Sequence, residues 1–410
     1  MRILDRLKLA FGVTPQARDY GNWSAFEGSV FRSSSGVAIT PERALTLSAV
    51  YRCTTLIAGV VATLPIPHYK KNADGSREKI NDSDIWSLLN YSPASGWTAV
   101  AFWEFMLMSM LLRGDGFARI RRNVMNRVVA LEPLHPQCVK VERENGEIKY
   151  YIDQDGERTT LEESDVLHFP MPGFNGLRSP SVIHYAASQT IGTSIKTEEH
   201  AGQLFSSGAA NTVALEIPGT VKPELQQALR ESWDSTYGSG NTGGKRLPLV
   251  LQGGTKASTI SLTAADAQLL ESRRFHIEDI ARAFGVPPWM IGAMDKQTSW
   301  GSGVEQAGIG FVVYTLNPHL HRIQNELTRK LMPRGPGYVE FAVEGLMQGD
   351  LKAQADYMRQ ALGGSQGPGW MTLDEIRRLK NLPPLPGGDK IYMPSASGAS
   401  NANSGTSSGQ

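Results

Sequence analysis

The run Gly238-Ser239-Gly240-Asn241-Thr242-Gly243-Gly244-Lys245 is the first place in this 410-residue chain to look for chemistry. Its glycines spell G-x-G-x-x-G, the pattern by which a backbone closes on a pyrophosphate. That pattern works only between a strand and a following helix, whose N-terminus then faces the phosphates. Periodicity here predicts the reverse order: a helix before the glycines and a strand after them. A phosphate-cradling P-loop fails as well, because Ser239 stands where its first glycine belongs and Arg246 where its magnesium-binding hydroxyl belongs. The run reads as a connecting loop. The eight histidines assemble no site either. His319 and His321 lie two apart on a predicted helix and point in different directions. There is no H-E-x-x-H and no G-x-S-x-G, so they read as core or surface histidines. Cys53 and Cys138 form no disulfide framework, which makes a reducing compartment the default. Two isolated cysteines also fall short of the four clustered ligands of a closed metal site. The expectation is a protein with no catalytic residues, no metal and no cofactor.

Charge points to a second kind of site. Lys and Arg number 41 against 40 Asp and Glu, a net charge of +1. Tight nucleic-acid binding comes from many basic groups neutralising phosphates, so this chain is not built to grip nucleic acid everywhere. It could still let nucleic acid slide past. The densest basic patch is Arg119, Arg121 and Arg122, with Arg113 and Arg127 nearby; Arg119 and Arg121 share one face of a predicted strand. A solvated sheet face and a nucleic-acid or partner contact are both open readings. Arg273 and Arg274 occupy positions that should continue the apolar stripe of Leu270, Ile277, Ala281 and Phe284. They suit a helix packed against neighbouring subunits, or one emerging from the core midway. Gly292 to Gly303 is a long, polar, glycine-bounded connection carrying Lys296 and Trp300, a profile that is often functional.

The elements that must position these residues alternate between helical and strand periodicity. Composition is that of an ordinary soluble globular protein, 40% hydrophobic and 20% charged. The N-terminus, with Asp5, Arg6 and Lys8, does not read as a signal peptide. The apolar stretches Leu56–Leu64 and Phe105–Leu112 are far shorter than the roughly 20 residues of a membrane span. Ser33 to Gly36 suggests a loose arm. Thr40-Pro41-Glu42 starts a helix that runs to Leu64, and a second helix spans Ala99 to Leu112. Short strands follow at Phe117–Arg121, Val128–Leu131, Val139–Glu142, Ile148–Ile152 and Val166–Phe169, with Asn145-Gly146 as a hairpin turn. Ser181 to Ser207 reads as one helix. A βαββ module comes next: strand Val213–Ile217, helix Pro223–Tyr237, strands Leu247–Leu251 and Ser258–Leu262. The helix Ala264–Phe284 stops at Gly285 and Pro287-Pro288. A long helix opens on the capping box Ser302-Gly-Val-Glu305; about 30 residues give it roughly 45 Å, and Pro318 should kink it. Short helices at Leu351–Leu362 and Thr372–Lys380 precede a Ser/Gly/Asn tail from Ser395 that cannot bury enough surface to fold. Thr372-Leu-Asp-Glu375 is another capping box.

The order of these elements, with several local runs, resembles the siphophage branch of the tailed-bacteriophage portal family. The runs are Asp266-Ala-Gln-Leu-Leu-Glu-Ser-Arg-Arg274, Ile280-Ala-Arg-Ala-Phe-Gly-Val-Pro-Pro-Trp-Met-Ile-Gly292 and Thr315-Leu-Asn-Pro318. Supporting stretches are Ser48–Cys53, Arg113–Ile120, Asp165–Pro170, Phe205–Ala209 and Gly349-Asp350, so the likeness covers about Leu45 to Asp389. The tail has no counterpart in the family, and Asp374 stands where the family often has Asn. The resemblance implies an α+β portal fold with wing, stem, clip and crown regions and a long kinked tunnel helix. It implies a ring of about twelve copies acting as a head-to-tail connector at one capsid vertex of the virion, assembled in the host bacterial cytoplasm. Partners would be further copies of itself, double-stranded DNA without sequence preference, the terminase large subunit, capsid protein and scaffold, and head–tail adaptors, with no membrane.

Mapped onto the chain, residues 1–38 would be a flexible arm, 39–180 the wing, 181–210 and 263–291 the stem helices and 211–262 the clip. Residues 292–302 would be the tunnel loop, 303–348 the tunnel helix and wing return, 349–394 the upper wing and crown, and 395–410 a disordered tail. Asp295, Lys296, Gln297, Thr298, Ser299 and Trp300 would line the DNA channel. Arg273, Arg274 and Arg282 would face a neighbouring subunit or DNA. The rival classes are a head–tail adaptor or other virion protein, and an ATP-using packaging enzyme suggested only by the glycine run.

Overall fold

The computed structural model describes residues 31–80, 82–154, 156–206, 212–216, 227, 256–260, 263–293, 302–333, 335–343, 345–346, 351–364, 367–379 and 382–391. In chain order its elements are β1 (Phe31–Arg32), β2 (Ala38–Ile39), α1 (Pro41–Ala44), α2 (Ser48–Ala62), β3 (His68–Lys71), β4 (Arg77–Ile80), α3 (Asp84–Asn90), α4 (Ala99–Arg113), β5 (Asp115–Arg122) and β6 (Val128–Leu134). Next come β7 (Val139–Glu144), β8 (Glu147–Gln154), β9 (Glu157–Glu162), β10 (Val166–Pro170), α5 (Val182–Tyr185), α6 (Ser188–Ser206), β11 (Thr212–Glu216), β12 (Lys256–Ile260) and α7 (Thr263–Phe284). The remainder are α8 (Ser302–Gly310), α9 (Asn317–Leu331), β13 (Gly337–Val339), α10 (Leu351–Leu362), β14 (Gly363–Gly364), β15 (Gly367–Pro368) and α11 (Leu373–Leu379). The class is α+β, as expected. The chain divides into two compact units: Met1–Thr298 with Val313–Phe341, and Ser299–Val312 with Ala342–Gln410.

The core of the first unit is the pair α2 and α4. Helix α2 buries one stripe, Val50, Cys53, Thr54, Ile57, Ala58 and Val61, the spacing expected of a surface helix. Helix α4 buries Phe102, Trp103, Met106, Leu107, Met110 and Leu111. It is apolar nearly all round because it packs on α2 on one side and on β5 on another. The Trp103 indole N–H donates to the Leu89 carbonyl at 3.0 Å, so its polar atom is satisfied in the core. Among the described residues the unit also holds three three-stranded antiparallel sheets, ordered β10-β5-β6, β7-β8-β9 and β13-β3-β4, and the two-stranded pairs β1-β2 and β11-β12. In the β7–β8 hairpin, Asn145 and Gly146 have φ of 52° and 92°, the two left-handed residues of a type I′ turn, which bears out the sequence signal.

Several expectations need correction. The helix expected from Thr40 to Leu64 is two. Thr40 Oγ1 does accept the Arg43 N–H at 3.2 Å, but the helix stops at Ala44. A tight turn follows, with Thr46 N bonded to the Arg43 carbonyl and Leu47 N to that of Ala44. Leu47 is then extended before α2 begins. Ser181–Ser207 is likewise two helices, α5 and α6, separated at Ala186-Ala187. The sequence pattern does not predict strands β3, β4, β9 and β13, because the first three are polar and β13 is only three residues long. Ser33 to Gly36 is no loose arm: Ser33 is buried, Ser34 donates twice to the Gln189 side chain, and a Cβ on Gly192 would lie 2.1 Å from Ser33 Oγ. The disturbance expected at Pro318 takes the form of a π-helical turn, Phe311–Leu316, after which α9 restarts with the proline in its first turn. The wider i→i+5 spacing accommodates a residue with no N–H and a ring that would otherwise clash one turn back.

Of the βαββ module, β11 and β12 pair antiparallel, Thr212 opposite Ile260. The expected helix Pro223–Tyr237, the glycine run and the strand Leu247–Leu251 lie outside the described residues, as do residues 1–30 and the tail from 392.

Candidate channel and assembly surface

The loop residues expected to line a channel, Asp295, Lys296, Gln297, Thr298, Ser299 and Trp300, lie outside the described residues. What is described is how the chain is led toward and away from them. Helix α7 ends in a Schellman motif: Val286 N donates to the Ala281 carbonyl at 2.9 Å and Gly285 N to that of Arg282 at 3.1 Å. Gly285 has φ +70°, and a Cβ there would sit 3.0 Å from Thr315 Oγ1. Glycine is therefore required both by its backbone angle and by a close neighbour. Thr315 Oγ1 donates to the Gly285 carbonyl at 2.6 Å, joining the end of α7 to the π turn. Pro287 forbids further helix, Pro288–Ile291 make one 3₁₀ turn, and Gly292 closes it at φ +85°. Double proline and two left-handed glycines turn the chain sharply just before the loop.

The candidate arginines of α7 are placed as follows. Arg273 reaches across to Glu198 on α6 (2.8 Å), and Arg282 pairs with Asp279 one turn earlier (2.6 Å). Asp279 also accepts the Thr190 hydroxyl of α6. Arg43 and Lys196 both pair with Glu199 at 2.8 Å. Among the described residues one ion pair, Arg273–Glu198, crosses between α6 and α7 and contributes about 0.2–1 kcal/mol, while Ile191 and Ile195 of α6 and Ile280 and Ala281 of α7 are buried. Arg274 is exposed and has no partner among the described residues. It lines an open groove of about 1060 Å³ between α2, α6 and α7, together with Glu271, His276 and Ala49. Of the three arginines, Arg274 is the one without an ion pair among the described residues.

The basic patch on β5 is partly neutralised, and Arg113 beside it pairs with Glu42 at 2.5 Å. Arg121 Nε lies 2.9 Å from both carboxylate oxygens of Glu132, and Arg122 donates to the Lys330 carbonyl at 3.1 Å. A solvated sheet face is the better account of it.

The most elaborate polar cluster was not anticipated from sequence. Asp115 is fully buried. Its carboxylate accepts from Arg178 Nε at 2.8 Å, His168 Nε2 at 3.0 Å, Ser179 N at 3.2 Å and Ser179 Oγ at 2.5 Å. These hydrogen bonds offset the cost of burying a polar carboxyl group. His168 Nδ1 lies 3.2 Å from the Tyr150 hydroxyl, whose ionisation burial pushes well above its ordinary range. The His168 backbone N–H donates to Glu326 on α9 at 3.2 Å. Lys330, also on α9, donates to the Val166 carbonyl at 2.6 Å and pairs with Glu326 at 3.3 Å. Arg329 clasps Glu163 (2.6 Å) and Glu326 (2.9 Å). This network fastens α9 to β10 and holds α9 in a fixed position. No group of acids, His and Cys among the described residues is arranged to hold a metal. The signals available in sequence were the stretches Arg113–Ile120, which contains Asp115, and Asp165–Pro170, which contains His168.

His319 behaves as a core histidine: burial drives its pKa down to about 4, while His321 is exposed. Burial also pushes the Cys53 thiol up to about 12, so it is inert at neutral pH.

Comparison with known proteins decides what this arrangement serves. The family model described as phage portal protein matches residues 48–381. The chain belongs to the phage portal protein family. Among relatives of this portal chain, the portal protein of Enterobacteria phage HK97 is 34% identical over 356 residues, 86% of this chain and 82% of the relative. The probable portal protein of Streptomyces phage phiC31 is 31% identical over 395 residues, covering 91% and 84%. Of solved structures, a chain from the neck of an empty gene transfer agent particle computed with C6 symmetry aligns with TM-score 0.58 at 19% identity, covering 90% of this chain and 95% of that one. An HK97-family phage portal protein from Corynebacterium diphtheriae aligns with TM-score 0.53 at 16% identity, covering 74% and 95%. These structures share the portal fold, and the sequence relatives carry the portal function. The family is a structural one.

Proposed function

We propose that this portal chain forms a closed ring of about twelve copies at one capsid vertex. Through that ring double-stranded DNA enters and leaves, and on it the terminase large subunit, capsid protein with scaffold, and later the head–tail adaptors dock. The observation that carries the reading is the portal-family match over residues 48–381, shared with portal relatives over more than four fifths of the chain. The physical features agree. A chain of net charge +1 makes few phosphate contacts, so DNA can move without stalling. The turn through Gly285, Pro287 and Gly292 leads into Asp295–Trp300, which we assign as the tunnel loop, with α6 and α7 as stem and residues 211–262 as clip. In a ring, one Lys296 per copy becomes a circle of positive charge. The chain itself turns over no substrate; motion is supplied by the docked motor.

Negative-stain microscopy of the purified chain tests this directly. Rings with a central channel are expected. A species that stays monomeric under every assembly condition would overturn the reading.

A further inference from the structure

Much of the described apolar surface of the segment Leu351–Ile391 faces outward. Among its described residues, Ala361 and Ile376 are the buried hydrophobics, while Tyr357, Trp370, Leu379, Leu382 and Leu385 are exposed, Trp370 at 57% and Leu379 at 59%. This is not a frayed end. Thr372 and Glu375 form a reciprocal capping box, Glu375 N to Thr372 Oγ1 at 3.2 Å and Thr372 N to Glu375 Oε2 at 2.8 Å. Trp370 N and Met371 N both bond the Ala361 carbonyl, at 2.9 and 3.0 Å. Gly369 lies so close to α10 that a Cβ would meet the Leu362 carbonyl at 2.2 Å. The segment 382–391 beyond α11 is stapled back onto it: Leu385 N donates to Asp374 Oδ1 (2.8 Å), Arg377 Nε to the Pro383 carbonyl (2.7 Å) and Asp374 N to the Gly388 carbonyl (2.9 Å). Polar groups are spent on internal bonds, and the leucines are left facing out. A stretch of this length cannot enclose a core alone, and an exposed apolar surface of this kind marks an interface.

We propose that this surface is covered by the same segment of a second copy of the chain, so that residues 351–391 form a continuous apolar belt around the ring. The proposal rests on the ring reading above. Rotational symmetry places an identical segment beside each copy, and the fold is shared with neck structures computed with C12 and C6 symmetry. A head-to-tail contact joins two different faces. The acidic end of α11, with exposed Glu375, can then meet the basic end of the next, with exposed Arg378. That arrangement is attractive.

The test uses the full-length chain with p-benzoylphenylalanine at position 382, assembled from a mixture of light and isotopically heavy protein and irradiated. Heavy–light cross-linked peptides with both partners in residues 351–391 are expected. Light–light and heavy–heavy products alone would mean that the chain covers its own surface, and the proposal fails. Cross-links to residues outside 351–391 of another copy, or no cross-link in intact rings, overturn it as well, the last pointing to a different virion protein. As a second measurement, Leu379→Glu with Leu382→Glu should raise the concentration needed to keep rings intact at least tenfold. Rings that survive dilution like the wild type count against the belt. A wild type that never forms rings sinks the ring reading itself, and the belt with it.

Discussion

The Thr315 hydroxyl donates to the carbonyl of Gly285 at 2.6 Å, bridging 30 positions between the end of α7 and the π turn before α9. Because Gly285 also closes the Schellman motif at φ +70°, one contact fixes both the exit of one helix and the approach to another. Gly285→Ala should cost about 1–2 kcal/mol from the left-handed backbone alone, with more from the 3.0 Å approach to Thr315 Oγ1. Thr315→Val should cost about 1 kcal/mol for the lost hydrogen bond. In a double-mutant cycle read by urea denaturation at fixed protein concentration, Gly285→Ala with Thr315→Ala should cost less than the sum of the single changes, because the crowding disappears. Strict additivity would show that the two residues do not act as a unit.

Asp115 sets a second prediction. Asp115→Asn keeps shape but removes the charge opposite Arg178, whose side chain is only 14% exposed. Leaving a buried cation uncompensated should cost about 3–5 kcal/mol, read as a fall in the urea midpoint without a change in slope. His168→Phe should cost less, since the carboxylate keeps its bonds to Arg178 and Ser179. If the two variants are equally mild, the network is not what fastens α9 to the sheet.

Much of this fold is legible where the physics is local. The apolar stripe of α2, the Asn145-Gly146 turn, the Gly285-Val-Pro-Pro stop and the Thr372–Glu375 capping box each depend on residues a few positions apart, and each stands in the structure. What escaped depends on distant partners. His68–Lys71 becomes a strand because it pairs with Arg77–Ile80 and with Gly337–Val339 far along the chain, and nothing in four polar residues announces that. Asp115, His168 and Arg178 come together across 53 and 63 positions with no periodicity to betray them. Leu47 interrupts an otherwise unbroken helical pattern. The function was legible only through the family resemblance, since a conduit has no catalytic constellation to find.

Acid should weaken the fold in two stages. His319 has its pKa lowered from 6.5 to about 4 by burial, with Arg322 adding a smaller push. Between those values the unfolded chain takes up a proton that the folded chain refuses. The contribution is therefore complete above pH 6.5 and is lost as pH falls toward 4. At about 1.4 kcal/mol per pKa unit it is of the order of 3 kcal/mol. His68, His135 and His184 are also held down, mainly by burial, and act in the same window. The depressed carboxyl of Glu163, bonded to Arg329, contributes only further into acid, below its ordinary value of 4.5. His319→Leu should flatten the stability curve between pH 6.5 and 4 by about one proton's slope. An unchanged slope would place the proton uptake elsewhere.

The assignment of Asp295–Trp300 to the narrow part of the channel makes the sharpest functional prediction. Deleting these residues should leave rings intact, because the clasp of Gly285 and Thr315 and the α6–α7 seam lie outside the deletion. It should impair DNA packaging or retention in particles assembled with the variant, measured as nuclease-protected DNA per particle. Lys296→Ala should act in the same direction more weakly. Removing one charge per copy takes about twelve from the ring, which weakens the channel's hold on phosphates without blocking it, and the difference from wild type should shrink as salt rises. Trp300→Ala separates two roles for the indole. A loss of packaging that does not vary with salt marks an anchor that shapes the loop, whereas a change in retention alone marks contact with DNA. Wild-type packaging by the full deletion would remove the tunnel assignment from this segment and leave Arg274, exposed on α7, as the candidate for contact with DNA.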